Sequence, residues 1–340
     1  MRLLIPVLLF ALAAWVAPAA SAGEPPSPPS PSSTHVADLP AVLVTGVQPG
    51  PGMWRVSREG HELWILGTLS PLPRGMTWQS REVESVIASA QEILLPPSVK
   101  MKVDVGWLGK LFLLPSAYSA RKNEDGKTLQ QVLDAPTYAR WQALKQVYLG
   151  EKRGIERWRP IFAAQELYKA AIKANGLSNS GGVKAAVDAL AKQHGVAETA
   201  VDYPVTIEHP RAAIKAFKQA APNDVLCMSR TLDAIEHDLP AMKARANAWA
   251  TGDLQGLREL PDSHRRQACI DALADAGFAR QLGIDDIPEQ VRATWLAAAR
   301  AALKAHAKTF AMLPMDELLK PDGYLAQLQA EGYTVDAPVE

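Results

Sequence analysis

Apolar residues recur along this chain in two rhythms. Between Met53 and Leu95 they cluster in short runs broken by Gly and Pro, and from Asp134 onward most return every third or fourth position. The first rhythm suits short buried strands; the second suits helices that bury one face. Met53 to Ser57 and Glu62 to Gly67, joined through Arg58-Glu59-Gly60-His61, read as a β-hairpin. Thr77 or Ser80 can then cap a helix whose Val83, Val86, Ile87 and Ala90 share a face, and Glu92 to Leu95 form a strand stopped by Pro96-Pro97. Strand, helix, strand in that order predicts a right-handed crossover that brings Gly67 and Pro96 to one sheet edge. In an α/β sheet that carboxyl edge is where a ligand crevice forms.

The rest of the pattern is mostly helical. Val42 to Thr45 is a short strand, and the apolar stretch Val103 to Leu114, with Gly106 and Gly109, reads equally as helix or loop. Helices are expected over Asp134–Tyr148, Arg159–Asn175, Val183–His194, Pro210–Ala220, Val225–Ala250, Asp262–Ala276, Pro288–Ala307 and Pro321–Ala330. Val201–Val205, Thr309–Leu313 and Tyr333–Val335 read as strands. No fixed-period repeat occurs. The predicted fold is therefore α/β (α+β): a small mixed central sheet surrounded by many helices, with a large helical insertion between the two sheet halves.

The first 40 residues change the picture of where the protein works. Met1-Arg2, an apolar run to about Val16 and Ala20-Ser21-Ala22 together have the form of a secretory signal peptide, residues 1–22. The run is shorter than the roughly 18 residues a membrane span needs. Residues 23–40 follow as a Pro/Ser-rich linker containing EPPSPPSPSS, an extended, solvated composition. About 300 residues remain, the size of one domain or two closely joined lobes. Export, with the periplasm as destination, is the expectation, and no transmembrane segment is expected in the mature chain.

Charge and cysteines narrow the chemistry. Lys+Arg equals Asp+Glu at 36 each and no basic tract stands out, which argues against nucleic acid as a partner. Cys227 and Cys269, the only cysteines, belong to the exported part and are expected to pair as a disulfide. Their spacing excludes a C-x-x-C redox motif. The seven histidines form no H-E-x-x-H and no close pair, so each has a structural reading. His194 and His306 fall near helix C-termini, where a cation suits the dipole.

Two stretches carry a resemblance. LWILGTLSPLP, followed by an amphipathic helix and EILLPPS, and the distal TFAMLPMDELLKPDGYLAQLQAEGYTV resemble the TraB/GumN family, which includes PrgY and the Tiki proteases. Residues 41–340 then form one TraB/GumN-like domain. The resemblance implies a strand ending in Gly-x-x-His at each place and an acidic residue after the first helix. That set would hold a divalent metal and activate water for peptide hydrolysis. Here the first motif is Gly67-Thr68-Leu69-Ser70, the acidic position falls at Pro96, and the second motif aligns with Leu313-Pro314-Met315-Asp316. Both histidines are missing.

The candidate crevice positions are thus Gly67, Ser70, Pro96, Arg159, Asp316 and Glu317. Ser70 lacks the G-x-S-x-G context of a nucleophile and reads as a turn cap. Asp316 and Glu317 could bind a hard cation, but read more simply as a solvated pair before the last helix. Arg55, Arg74, Arg159 and Arg292 sit near element ends, where any of them could meet an anion. Trp249 with Gly252-Asp253-Leu254 resembles a W-x-x-G-D-L turn of the GumN branch and reads as packing. The sequence reading is an exported member with a degenerate metal-hydrolase centre: no catalytic residue, no metal, no cofactor, and a non-catalytic binding or scaffold role in the cell envelope. Partners are unknown. The alternative is a hydrolase or peptidase whose site is rebuilt from Ser70, Asp316, Glu317 and an arginine.

Overall fold

The computed structural model describes residues 50–338 apart from 77, 79–80, 180–181, 220–223, 261–263 and 274–285. The strand expected at Val42–Thr45 and the caps Thr77 and Ser80 lie outside the described residues. Among the described residues ten strands are present: β1 (Met53–Arg58), β2 (His61–Thr68), β3 (Leu72–Pro73), β4 (Glu92–Leu94), β5 (Ser98–Val103), β6 (Leu177–Ser178), β7 (Glu198–Thr199), β8 (Asp202–Ile207), β9 (Lys308–Pro314) and β10 (Thr334–Asp336).

The hairpin forms as its pattern predicts. β1 and β2 pair antiparallel through Glu59 (φ 53°) and Gly60 (φ 84°), the two positive dihedrals a tight hairpin turn requires. β9 then lies parallel between β2 and β4, giving a six-stranded sheet in the order β10-β1-β2-β9-β4-β7. The two ends of the chain are therefore interleaved in one sheet, and do not form two halves side by side. β9 is buried from Thr309 to Leu313, on both faces, which is why TFAML reads as a continuous apolar run without alternation.

Helices cover this sheet. They are α1 (Arg81–Ser89), α2 (Trp107–Ser119), α3 (Leu129–Val132), α4 (Ala135–Tyr148), α5 (Pro160–Ala174), α6 (Gly182–His194), α7 (Pro210–Gln219) and α8 (Asp224–Glu236). α9 (Leu239–Thr251), α10 (Leu254–Glu259), α11 (Arg265–Leu273), α12 (Ile287–Ala305), α13 (Met315–Leu318) and α14 (Tyr324–Ala330) complete the set. One core gathers around the sheet, from Trp54 and Leu63 to Trp249, Trp295 and Phe310. A second joins α3, α4, α5 and α8 around Trp141, Leu167 and Met228.

Two expected helices need correction, an unassigned stretch forms a strand, and an open reading is decided. Val225–Ala250 is two helices, because Pro240 cannot continue α8 and instead sits in the first turn of α9. Residues 98–103 form a strand that sequence reading missed, and β8 pairs with it in parallel, outside the main sheet. The ambiguous stretch divides: Val103 ends β5, and the helix runs from Trp107 past Leu114 to Ser119. The last helix starts at Tyr324, and the short α13 precedes it.

Candidate functional site

The register of β2 against β9 decides where the two distal motifs meet. Gly67 stands opposite Leu313 and Thr68 opposite Pro314, so the two strand ends lie side by side. Ser70 and Asp316, each three residues further on, line one cleft of about 1330 Å³ at this carboxyl edge, together with Thr68, Pro96, Met312 and Pro314. Ser70 and Asp316, far apart in the chain, thus share a site through a parallel strand pair.

The centre beneath that edge is packed. A side chain at Gly67 would meet the end of the Met315 side chain and crowd Leu318, so glycine lets the buried Met315 pack closely against the strand end. Met315 and Leu313 are fully buried, while Leu69 and Leu72 line the cleft. The Gly67 carbonyl accepts a 2.8 Å hydrogen bond from the indole of Trp249 on α9, which itself meets Trp78 edge to face at 5.4 Å. Trp249 therefore packs, as its motif suggests, and also fixes the strand end from 182 residues away.

The polar candidates are already engaged. Ser70 Oγ donates to Asn179 Oδ1 at 3.2 Å. Asp316 is paired with Arg266, and Glu317 with Lys320 at 2.7 Å and with Arg266 at 3.6 Å. No hydrogen bond joins Ser70 to Asp316 or Glu317 among the described residues. Gly67, Glu317 and Arg159 are not among the cleft's lining residues. Arg159 is buried instead against Asp224 on α8, with two bonds of 2.7 and 2.9 Å, and donates to the Phe217 carbonyl. It is a structural arginine, a correction to its place among the crevice positions. Arg74 donates to the carbonyls of Lys173 and Leu177, Arg55 pairs with Asp336 at 2.8 Å, and Arg292 lies near Glu289 at 3.7 Å. None of the three lines the cleft.

A zinc ion of the kind the family resemblance implies does not fit these residues. The three strand-end positions supply a serine, a proline and an aspartate already held by arginine, whereas a catalytic zinc takes three good ligands, mostly His. Among the described residues no three His, Cys, Asp or Glu side chains come together in a metal-sized cluster.

Other residues give the cleft its character. Lys184, Arg245, Arg258, Arg265, Arg266 and Lys320 line it against Asp238, Glu259 and Asp316. Arg245 donates to the carbonyls of Leu257 and Leu260, which fixes its position on the wall. Arg265, in the first turn of α11, lies over the ring of Tyr168 with its guanidinium carbon 3.7 Å from the centroid. Its Nε is buried without a hydrogen-bond partner among the described residues. Burial pushes the Arg265 guanidinium below the ordinary arginine range, and no carboxylate opposes that shift. A cation–π contact contributes about 0.5–2 kcal/mol. The dehydration of a charged group costs several kcal/mol, so the ring does not replace an anion. Sequence reasoning missed this residue, because an arginine at a helix start carries no pattern that marks it as buried.

A family model for the TraB/PrgY/gumN family matches residues 52–337. The chain belongs to the TraB/PrgY/gumN family. The match covers both strand ends and the whole helical insertion, so the interleaved sheet and the cleft lie within the family's domain. No curated protein and no solved structure matched the chain. Cys227 on α8 and Cys269 on α11 form the expected disulfide, with Cα atoms 4.6 Å apart. No helix among the described residues is long and apolar enough to cross a membrane.

Proposed function

We propose that this TraB/PrgY/gumN protein is a non-catalytic binding protein that takes an anionic ligand into the cleft at the β2–β9 edge. The observation that carries the reading is Arg265: a half-buried arginine, its guanidinium over the Tyr168 ring and its buried Nε lacking a hydrogen-bond partner, in a cleft lined by six basic and three acidic side chains. A carboxylate or phosphate group is the chemistry that satisfies such a fork. Leu69, Leu72, Met242 and Leu319 on the same walls suit an apolar portion of that ligand. The proposal includes export with removal of residues 1–22, action in the periplasm and a binding or scaffold role in the cell envelope. A disulfide between two helices fits an oxidising compartment.

The rival, a hydrolase rebuilt from Ser70, Asp316 and Glu317, draws no support from the geometry. Ser70 has an amide oxygen where a base should be, and Asp316 has an arginine. Thermal melting of the chain from Gly23 onward tests the choice, with inorganic phosphate and citrate as probes against chloride at matched ionic strength. The phosphate or citrate should raise the melting temperature of the wild-type chain, and Arg265→Met should abolish the rise. Equal response in both proteins rejects the anion site. One chelator-sensitive zinc per chain, with hydrolysis lost in Ser70→Ala or Asp316→Ala, would establish the rival. Intact-mass analysis of exported protein should begin at Gly23.

A further inference from the structure

The helix α2 turns the amphipathic rule outward. Trp107, Leu111, Leu114 and Tyr118 follow one another at spacings of four, three and four residues, which places them on one face. In a globular domain such a stripe packs inward. Here the four are 75, 54, 60 and 60 % exposed, and Phe112 beside them is 70 % exposed. Met101 and Val99, alternate residues of the preceding strand β5, are exposed as well. Single exposed apolar residues are ordinary, but a contiguous stripe marks a surface that something covers.

Charge identifies the kind of surface. Residues 98–122 contain Lys100, Lys102, Lys110, Arg121 and Lys122 against a single acid, Asp104, in a chain whose formal net charge is zero as a whole. Lys100 shares Asp202 at 3.6 Å. Arg121 and Lys122 lie against the Tyr118 ring at 5.8 and 5.5 Å, so cations flank the carboxyl end of the stripe. A two-fold pairing of this segment with its own copy would bring like charges together. Aromatic residues at both ends of the stripe, Leu and Phe between, and cations in the flanking residues on either side suit an apolar surface that rests on a charged membrane interface.

We propose that the exposed face of α2 docks on an anionic lipid surface, with the stripe from Trp107 to Tyr118 inserted at headgroup depth and the basic residues of 98–122 against the lipid charge. This needs no membrane-spanning helix and is independent of the ligand in the cleft. Co-sedimentation tests it, using the chain from Gly23 onward, which contains every described element and lacks the apolar leader that would itself bind lipid. Vesicles of equimolar phosphatidylcholine and phosphatidylglycerol should carry the wild-type chain down, and phosphatidylcholine alone should bind it at least about tenfold less. High salt should weaken the binding. Leu111→Glu with Phe112→Glu should reduce it by about tenfold or more at an unchanged melting temperature, since both side chains already face solvent. Should that double variant melt early, Trp107→Ser serves in its place. Arg265→Met should leave lipid binding unchanged, which separates this result from that of the cleft. Equal sedimentation of wild type and a folded variant overturns the proposal, as does equal binding to both vesicle types. A wild-type dimer in sedimentation velocity that the same substitutions convert to monomer overturns it in favour of a second copy.

Discussion

Arg159 is buried in the helical layer and Arg265 is half-buried at its cleft edge, and they are treated in opposite ways. Arg159 receives a bidentate carboxylate from Asp224 and a backbone carbonyl, and is sealed from solvent. Arg265 receives an aromatic ring and opens onto the cleft. The first arrangement completes a charge within the fold; the second leaves one to be completed from outside. Even the completed pair is balanced. Burial pushes the Asp224 carboxyl up and the guanidinium pulls it down, with burial the larger effect. Such a pair holds a structure together only while both members are present.

Asp224→Asn sharpens the contrast most. It strands Arg159 in the interior and should cost about 3–5 kcal/mol in urea unfolding, whereas Arg159→Met with Asp224→Leu should cost far less. A double variant as unstable as the single one would show the pair to be a net stabiliser and weaken the comparison. Nearly as large is the effect of the disulfide, which ties α8, the helix of Asp224, to α11, the helix of Arg265. Cys227→Ser with Cys269→Ser should lower stability by about 4 kcal/mol in the chain-entropy model. It should also weaken the phosphate response of Arg265 more than the structural pair alone predicts, as read by melting curves with and without phosphate.

Tyr324 shows a third treatment of a buried polar group: it is kept neutral. It is 4 % exposed, meets Trp295 edge to face at 5.3 Å, and burial pushes its hydroxyl up to about 12 from an ordinary 10.0. A raised phenol contributes stability that is full below pH 10 and is lost as pH rises through 12. Alkaline melting should therefore show a loss of ~2 kcal/mol across that window, absent in Tyr324→Phe. The smallest effect has the opposite sign. With no anion bound, Arg265→Met should stabilise the chain by ~1 kcal/mol, because it removes a half-buried charge whose Nε has no hydrogen-bond acceptor. A destabilised Arg265→Met would mean the arginine serves packing, and the contrast with Arg159 would fail.

The hairpin was legible because it follows from local patterns: alternation, a Glu-Gly turn, and apolar runs ended by proline; the convergence of residues 67–70 with 313–316 was implied by the family resemblance. The interleaving of β9 between β2 and β4 was not, since the parallel order of strands is set by packing across the whole chain. β5 had a readable signal, with Val99, Met101 and Val103 alternating against Ser98, Lys100 and Lys102, but it follows Pro96-Pro97 directly and passes for loop. Arg159 was placed at the crevice on its position near a helix end; its partner is 65 residues away and no spacing announces it. Arg265 was missed for the complementary reason. Its chemistry lies in what is absent around it, and a sequence displays only what is present.

The bond between Cys227 and Cys269 also sets a schedule. It closes a span of 42 residues, from α8 to the helix that presents Arg265. In a thiol-rich cytosol this link stays open, and α11 is held by non-covalent packing alone. Nucleotides and acidic metabolites are abundant there and would compete for an unpaired guanidinium. Under the proposed export, a precursor on its way out would carry the charged wall of the cleft in its loosest form while those competitors surround it. Oxidation on the far side of the membrane would lock that wall into place where they are scarce, so the chemistry of the destination would itself act as the final assembly step of the binding site.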